Sequence, residues 1–121
     1  MVLIVEDEAI SRRALQSLLR LSGLQSKATG SAEEAMSFIG ECGVPEMAIV
    51  DINLPGMNGL ELVRQLHESF PALPCVLMTA NEDAHLEQIR GGGTEPMFRK
   101  PFDVSRLLHL VLKTINDSHF H

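Results

Sequence analysis

The stretch MAIVDINLPGMNG, residues 47–59, places a carboxylate at the tip of an apolar strand. Met47 to Val50 form a short continuous apolar run, the pattern of a strand buried on both faces. Asp51 follows directly. Pro55-Gly56 and Asn58-Gly59 then supply plain turn chemistry, whatever the function. A buried strand that runs straight into an acid and a loop is best explained by work done at its carboxyl end. Open parallel sheets carry their functional sites there.

Working outward, the same arrangement recurs. Met1 to Val5 is an apolar run that stops at Glu6-Asp7. Pro74 to Thr79 is another and ends on a hydroxyl. Met97 and Phe98 mark a brief strand that ends at Arg99-Lys100-Pro101, and Leu24 to Ala28 is a weaker one. Helical periods lie between them. Ile10, Ala14, Leu18 and Leu21 recur at i, i+4, i+8 and i+11, with Leu15 and Leu19 completing the turns and Gly23 as a stop. Ser31-Ala32-Glu33-Glu34 has the capping-box pattern; Ala35, Phe38 and Ile39 give that helix its apolar face, and Gly40 is its expected end. Gly59 to Phe70 carries Leu60, Val63 and Leu66, with Leu62 beside them, before Pro71 and Pro74 bracket a turn. Asp83 to Arg90 reads as a short helix stopped by Gly91-Gly92-Gly93. Asp103 caps a last helix to about Ile115, with Val104, Leu107, Leu108, Val111 and Ile115 on one face.

Strand and helix alternate five times. That order predicts an α/β fold, a (βα)5 three-layer sandwich with a parallel five-stranded sheet and right-handed crossovers. The expected layout is one domain over residues 1–116 and a polar, frayed tail over 117–121. The 121 residues leave no room for a second ordinary domain. Apolar residues make up 45% of the chain, enough for a packed core, but aromatics only 4%, so Leu, Ile, Val, Met and Ala must build it.

Composition narrows the function. The net charge of −6 and the absence of a basic stripe argue against direct nucleic-acid binding; Arg12-Arg13 and Arg99-Lys100 are isolated pairs. Cys42 and Cys75 have no metal spacing and read as free thiols in a reducing compartment. No secretory signal or membrane-length apolar run is present, so no membrane partner is expected and the cytoplasm is the expected location. The histidines show no cluster with metal spacing.

With parallel strands, Glu6, Asp7, Asp51, Thr79 and Lys100 converge on one sheet edge. Each has a plain alternative. Glu6 and Asp7 could cap the first helix, Asp51 could shape a turn, Thr79 could simply end a strand, and Lys100 could be a solvated amine. Convergence of all five outweighs these. Three crowded carboxylates repel one another, and a divalent cation relieves that. Oxygen-only donors suit Mg²⁺ or Mn²⁺, not zinc. Lys100 and Thr79 can hold phosphate oxygens, and Asp51, on the central strand, is the best-placed nucleophile for a phosphoryl group.

At this point the chain resembles the response regulator receiver domains of two-component signalling. The resemblance rests on LIVEDE at 3–8, IVDINLPGMNGLEL at 49–62, VLMTA at 76–80 and KPF at 100–102. It spans essentially the whole chain and implies a flavodoxin-like sheet of order 2-1-3-4-5. It also implies that Asp51 is the phosphoacceptor, Asp7 the main metal carboxylate and Glu6 the second acid. Asn53 would lend a backbone carbonyl to the metal. Thr79 would be the switching hydroxyl with small Ala80 after it, and Lys100 the phosphate-binding lysine with Pro101 after it. Partners implied are a histidine kinase or histidine phosphotransfer protein upstream and an effector protein or output domain downstream. Such a domain catalyses its own phosphorylation and slow dephosphorylation, and is not a turnover enzyme.

Two positions depart from that family. Its usual switch aromatic, three residues before the lysine, is here Met97, with Phe98 expected on the opposite face of the strand. Three consecutive glycines follow the 83–90 helix where one or two small residues are usual. Leu110 and Leu112 widen the last helix's apolar stripe, which fits either generous core or a homodimer face formed with the 83–90 helix and the fifth strand. Two competing readings remain. A metal-dependent phosphohydrolase would want an acid/base two residues after the nucleophile, where Asn53 stands. A receiver that binds partners without phosphorylation would normally lack one of the acids or the lysine, and none is lost.

Overall fold

A computed structural model of the chain describes residues 1–79, 96–100 and 103–119. The expected 83–90 helix, the glycine triplet, Ala80 and Pro101 lie outside the described residues. Five strands, β1 (Val2–Val5), β2 (Ser26–Thr29), β3 (Met47–Asp51), β4 (Cys75–Thr79) and β5 (Met97–Arg99), form one sheet. Its order is β2-β1-β3-β4-β5 and every pairing is parallel. The described helices are α1 (Ala9–Leu21), α2 (Ala32–Cys42), α3 (Gly59–Ser69) and α4 (Val104–His119).

Strand alternation sorts the core into two layers. Leu3, Val5, Ala48, Val50, Cys75 and Leu77 pack with the buried residues of α2 and α3. Val2, Ile4, Met47, Ile49, Val76 and Met78 pack with those of α1 and α4. β1, β3 and β4 are buried along their whole length, as their unbroken apolar runs require. Met97 joins the first layer and Phe98 the second, so the two point to opposite faces as expected. Neither cysteine forms a disulfide; Cys75 is buried and Cys42 exposed.

The helix ends show why the boundaries fall where they do. Gly23 takes φ +83°, and the N–H groups of Gly23 and Leu24 reach back to the carbonyls of Arg20 and Leu19, a Schellman closure. Ser31 Oγ accepts from the Glu34 N–H, while Glu34 turns its carboxylate to the Gly30 N–H. Asn58 Oδ1 caps α3 through the Glu61 N–H, and Asp103 Oδ1 caps α4 through the Arg106 N–H.

Two expectations need correction. α2 does not end at Gly40; it runs to Cys42 and stops at Gly43, which takes φ +95°. A glycine inside a helix costs only about 1 kcal/mol, so the positive-φ glycine is the true stop. α4 does not end near Ile115; it continues through residues 117–119, since no glycine or proline interrupts it before His119. Within the apolar positions of α1, the structure decides which ones pack. Leu15 and Leu19 are buried, while Ile10 and Leu21 are 78% and 85% exposed. At ~3.6 residues per turn, Leu15 and Leu19 lie a third of a turn or more away from Ile10 and Leu21.

Candidate functional site

The carboxyl ends of β1, β3, β4 and β5 bring Glu6, Asp7, Asp51, Thr79 and Lys100 together. Glu6 and Thr79 are fully buried, Asp51 nearly so, and Asp7 is exposed. Lys100 binds two acids at once. Its Nζ donates to Glu6 Oε1 at 3.0 Å and Oε2 at 2.9 Å, and to Asp51 Oδ2 at 3.1 Å. The lysine is positioned by its own backbone, whose N–H donates to the Thr79 carbonyl at 2.8 Å. Asp51 Oδ1 accepts from the Asn53 N–H at 2.9 Å, so both carboxylate oxygens are held. One oxygen from each of Glu6, Asp7 and Asp51 falls within 4.8 Å of the others.

The plain alternative for the first acids does not hold. The residue flanking α1 is Glu8, which makes no side-chain cap bond, and Glu6 turns inward to Lys100 instead.

The electrostatics follow from burial. Removal from water, together with the hydrogen bond to Asp51, pushes the Glu6 carboxyl up to about 7, with Lys100 offsetting part of the rise. Burial would raise Asp51 too. The hydrogen bonds from Glu6, the Asn53 N–H and Lys100 outweigh it and hold Asp51 below its ordinary value. Lys100 is driven the other way: burial opposes its charge, but Glu6 and Asp51 raise its pKa above the usual lysine value. The cleft therefore presents one firmly ionised carboxylate, one that shares a proton near neutrality, and one fixed ammonium.

Gly59 and Arg12 acquire roles here that their local sequence did not announce. A Cβ at Gly59 would sit 2.1 Å from the Asp51 carbonyl oxygen, and the Gly59 N–H donates to the Ile52 carbonyl at 2.9 Å. This glycine lets α3 start directly against the backbone of Asp51, a close approach rather than a turn requirement. Arg12 sends its guanidinium back to the carbonyls of Glu6 and Asp7. Both contacts link α1 or α3 to a loop at a strand end, which no periodicity within one helix reveals.

Among the described residues no helix is long and apolar enough to cross a membrane. Comparison with known proteins agrees with the geometry. Residues 2–112 match the family described as the response regulator receiver domain. The chain is 36% identical over 108 residues, 88% of its length, to the virulence transcriptional regulatory protein PhoP of Salmonella choleraesuis, covering 48% of that protein. It is 37% identical over 114 residues, 93% of its length, to the response regulator protein FleR of Pseudomonas aeruginosa, covering 24% of that protein. The chain thus spans half or less of the length of these curated relatives. In fold it is similar to a CheY-like receiver domain protein from Methanospirillum hungatei, with TM-score 0.84 and 22% identity over 98% of this chain and 94% of that one.

Proposed function

The chain belongs to the response regulator receiver domain family, and we propose that Asp51 is its phosphoacceptor, charged by a phosphohistidine of a histidine kinase or histidine phosphotransfer protein. Receiver domains of response regulators are signalling domains, and the proposed role of this chain is that of a switch, not a turnover enzyme. The observation that carries it is the cleft itself. A buried carboxylate is kept ionised at the end of the central strand, with an ammonium 3.1 Å from one oxygen and a backbone N–H 2.9 Å from the other.

The donor set fits a small hard cation. Three carboxylates offer oxygens within 4.8 Å of one another, with no sulfur or imidazole among them. Glu6, Asp7 and Asp51, with the Asn53 backbone carbonyl, would hold Mg²⁺, and Mn²⁺ in its place. A cation held there would supply positive charge for the phosphoryl oxygens.

In the transfer, an Asp51 carboxylate oxygen attacks phosphorus in line. The new P–O bond forms as the P–N bond to histidine breaks, and the departing imidazole takes a proton from solvent. The Lys100 ammonium leaves Glu6 for a phosphoryl oxygen, and the Thr79 hydroxyl donates to another. Ala80 and Pro101, beside these two, complete the set by resemblance. Met97 takes the place of the switch aromatic and packs in the α2–α3 layer, where an unbranched side chain can fill space vacated by Thr79. The charge added at the cleft then biases the surface formed around β5 and α4 toward a downstream effector or output domain. That surface is also where a homodimer would form, and the cytoplasm is the setting this chemistry suits.

Intact mass after incubation with acetyl phosphate and Mg²⁺, beside an Asp51→Asn control, tests the reading. One base-labile phosphoryl group, absent in the control, is the expected result. No adduct in a protein shown to bind Mg²⁺ sinks it.

A further inference from the structure

We propose that Arg12 is a positioning residue for the cation site, clamping the backbone from which Glu6 and Asp7 project. The inference rests on the metal-binding reading above. One guanidinium nitrogen, Nη1, donates to two consecutive carbonyls, Glu6 O at 2.9 Å and Asp7 O at 3.2 Å. A single donor shared by neighbouring carbonyls fixes the bend of the chain between them. That bend sends Glu6 into the buried pair with Lys100 and leaves Asp7 exposed at the mouth, with both carboxylates in reach of Asp51.

The clamp is built from several elements. Arg12 is held on α1, where its N–H donates to the Glu8 carbonyl at 2.9 Å. The loop's other side is tied by the Glu6 N–H to the Thr29 carbonyl at 3.0 Å, at the end of β2. The next residue, Gly30, leaves room for the guanidinium: a Cβ there would lie 3.2 Å from Nη1. Glu34, from α2, fixes Gly30 through its N–H at 3.0 Å. So α1, β2 and α2 together define where the two acids stand. Groups behind metal ligands commonly carry about 10–100-fold of a site's affinity by orienting them.

The sign of the effect separates this role from its rivals. A cation that acted only through its charge would repel a divalent ion, so removing it would tighten binding. A residue that served the fold alone would change stability and leave affinity intact. The positioning role predicts weaker binding. Calorimetric titration of Mn²⁺ into the wild type, Arg12→Ala and the exposed neighbour Arg13→Ala reads all three. We expect Kd to rise about tenfold in Arg12→Ala and to stay unchanged in Arg13→Ala, with helical circular dichroism retained. An unchanged or lower Kd in Arg12→Ala, while the wild type binds, overturns the inference and leaves the phosphoacceptor reading standing. Absence of Mn²⁺ uptake by the wild type overturns both. If Arg12→Ala fails to fold, Arg12→Gln keeps the aliphatic stem and is read by the same outcomes.

Discussion

Gly59 lies so close to Asp51 that a single added carbon on it would reach 2.1 Å from the Asp51 carbonyl oxygen. The neighbours are backbone atoms of Asp51 and Ile52, which cannot swing aside as a flexible side chain would. Gly59→Ala must therefore push α3 off the end of β3. Overpacking of this kind costs about 1–3 kcal/mol. Urea unfolding should show that loss, and acetyl phosphate should label Asp51 more slowly. An unchanged midpoint would mean that α3 can shift freely, against the packing described.

Lys100 and Arg12 are both cations beside the acids, yet their removal should act in opposite directions. Lys100 touches the carboxylate oxygens themselves, whereas Arg12 touches the carbonyls behind them. Lys100→Met frees Glu6 and Asp51 of a competing charge. At pH 8 it should tighten Mn²⁺ by roughly tenfold, since one unit charge a few Å away is worth more than about 1 kcal/mol even at effective dielectric constants near 20. Phosphorylation by acetyl phosphate should nonetheless slow, because the ammonium that would meet the phosphoryl oxygens is gone. Weaker Mn²⁺ binding in this variant would contradict the competition.

The metal-free protein should lose stability as pH rises through the Glu6 titration. Glu6 titrates near 4.5 when unfolded and near 7 when folded, so between these values the native state binds more protons. Stability then falls with rising pH: the contribution is complete below 4.5 and gone above about 7. Asp51 acts in the opposite sense, below its ordinary 3.8, and Lys100 in the same sense as Glu6 but only above its ordinary 10.5, both outside this window. Glu6→Gln keeps the protonated shape and removes the slope. Unfolding in chelator at pH 5 and pH 8 should show the wild type losing on the order of 2 kcal/mol relative to the variant. Parallel curves for the two proteins would refute the assignment.

Mg²⁺ affinity should rise over the same interval. If Glu6 is a ligand as proposed, the cation would need it ionised, and binding would release a proton where Glu6 still holds one. Titrations in buffers of different ionisation heat should show proton release near pH 6.5 and little at pH 8.5. Release that does not decline over that range would place the proton elsewhere.

Leu19 and Leu21 differ by two positions and by nearly complete burial against 85% exposure. Leu19→Ala should cost about 2–5 kcal/mol, and Leu21→Ala within about 0.5 kcal/mol of nothing. Equal effects in chemical denaturation would restore Leu21 to the core.

Much of this molecule is legible in one dimension. Unbroken apolar runs such as Met47–Val50 mark strands buried on both sides, because a sheet covered by helices leaves no polar face. Alternation with helical periods then implies a parallel sheet, and parallel strands bring their carboxyl ends to one edge. That is why the positions of Glu6, Asp7, Asp51, Thr79 and Lys100 in the sequence already imply one shared edge. Gly43 shows the limit even of local signals: glycine stops a helix through its φ, and sequence does not say which of Gly40 and Gly43 takes φ +95°.

What only the tertiary structure decided are relations between elements distant in the chain. The face of α1 that packs is set by its rotation on the sheet. Ile10, Ala14, Leu18 and Leu21 and the Leu15–Leu19 pair are both apolar, so periodicity cannot choose between them. The Lys100 ammonium lies against Glu6 across 94 residues, and that contact offsets part of the rise that burial and Asp51 impose on Glu6 while helping to raise the lysine. Arg12 is a surface cation by its neighbours in sequence and a clamp on Glu6 and Asp7 by its neighbours in space. Residue type and spacing establish which chemistry is present. The distances and burial that tune its charges exist only once the chain has folded.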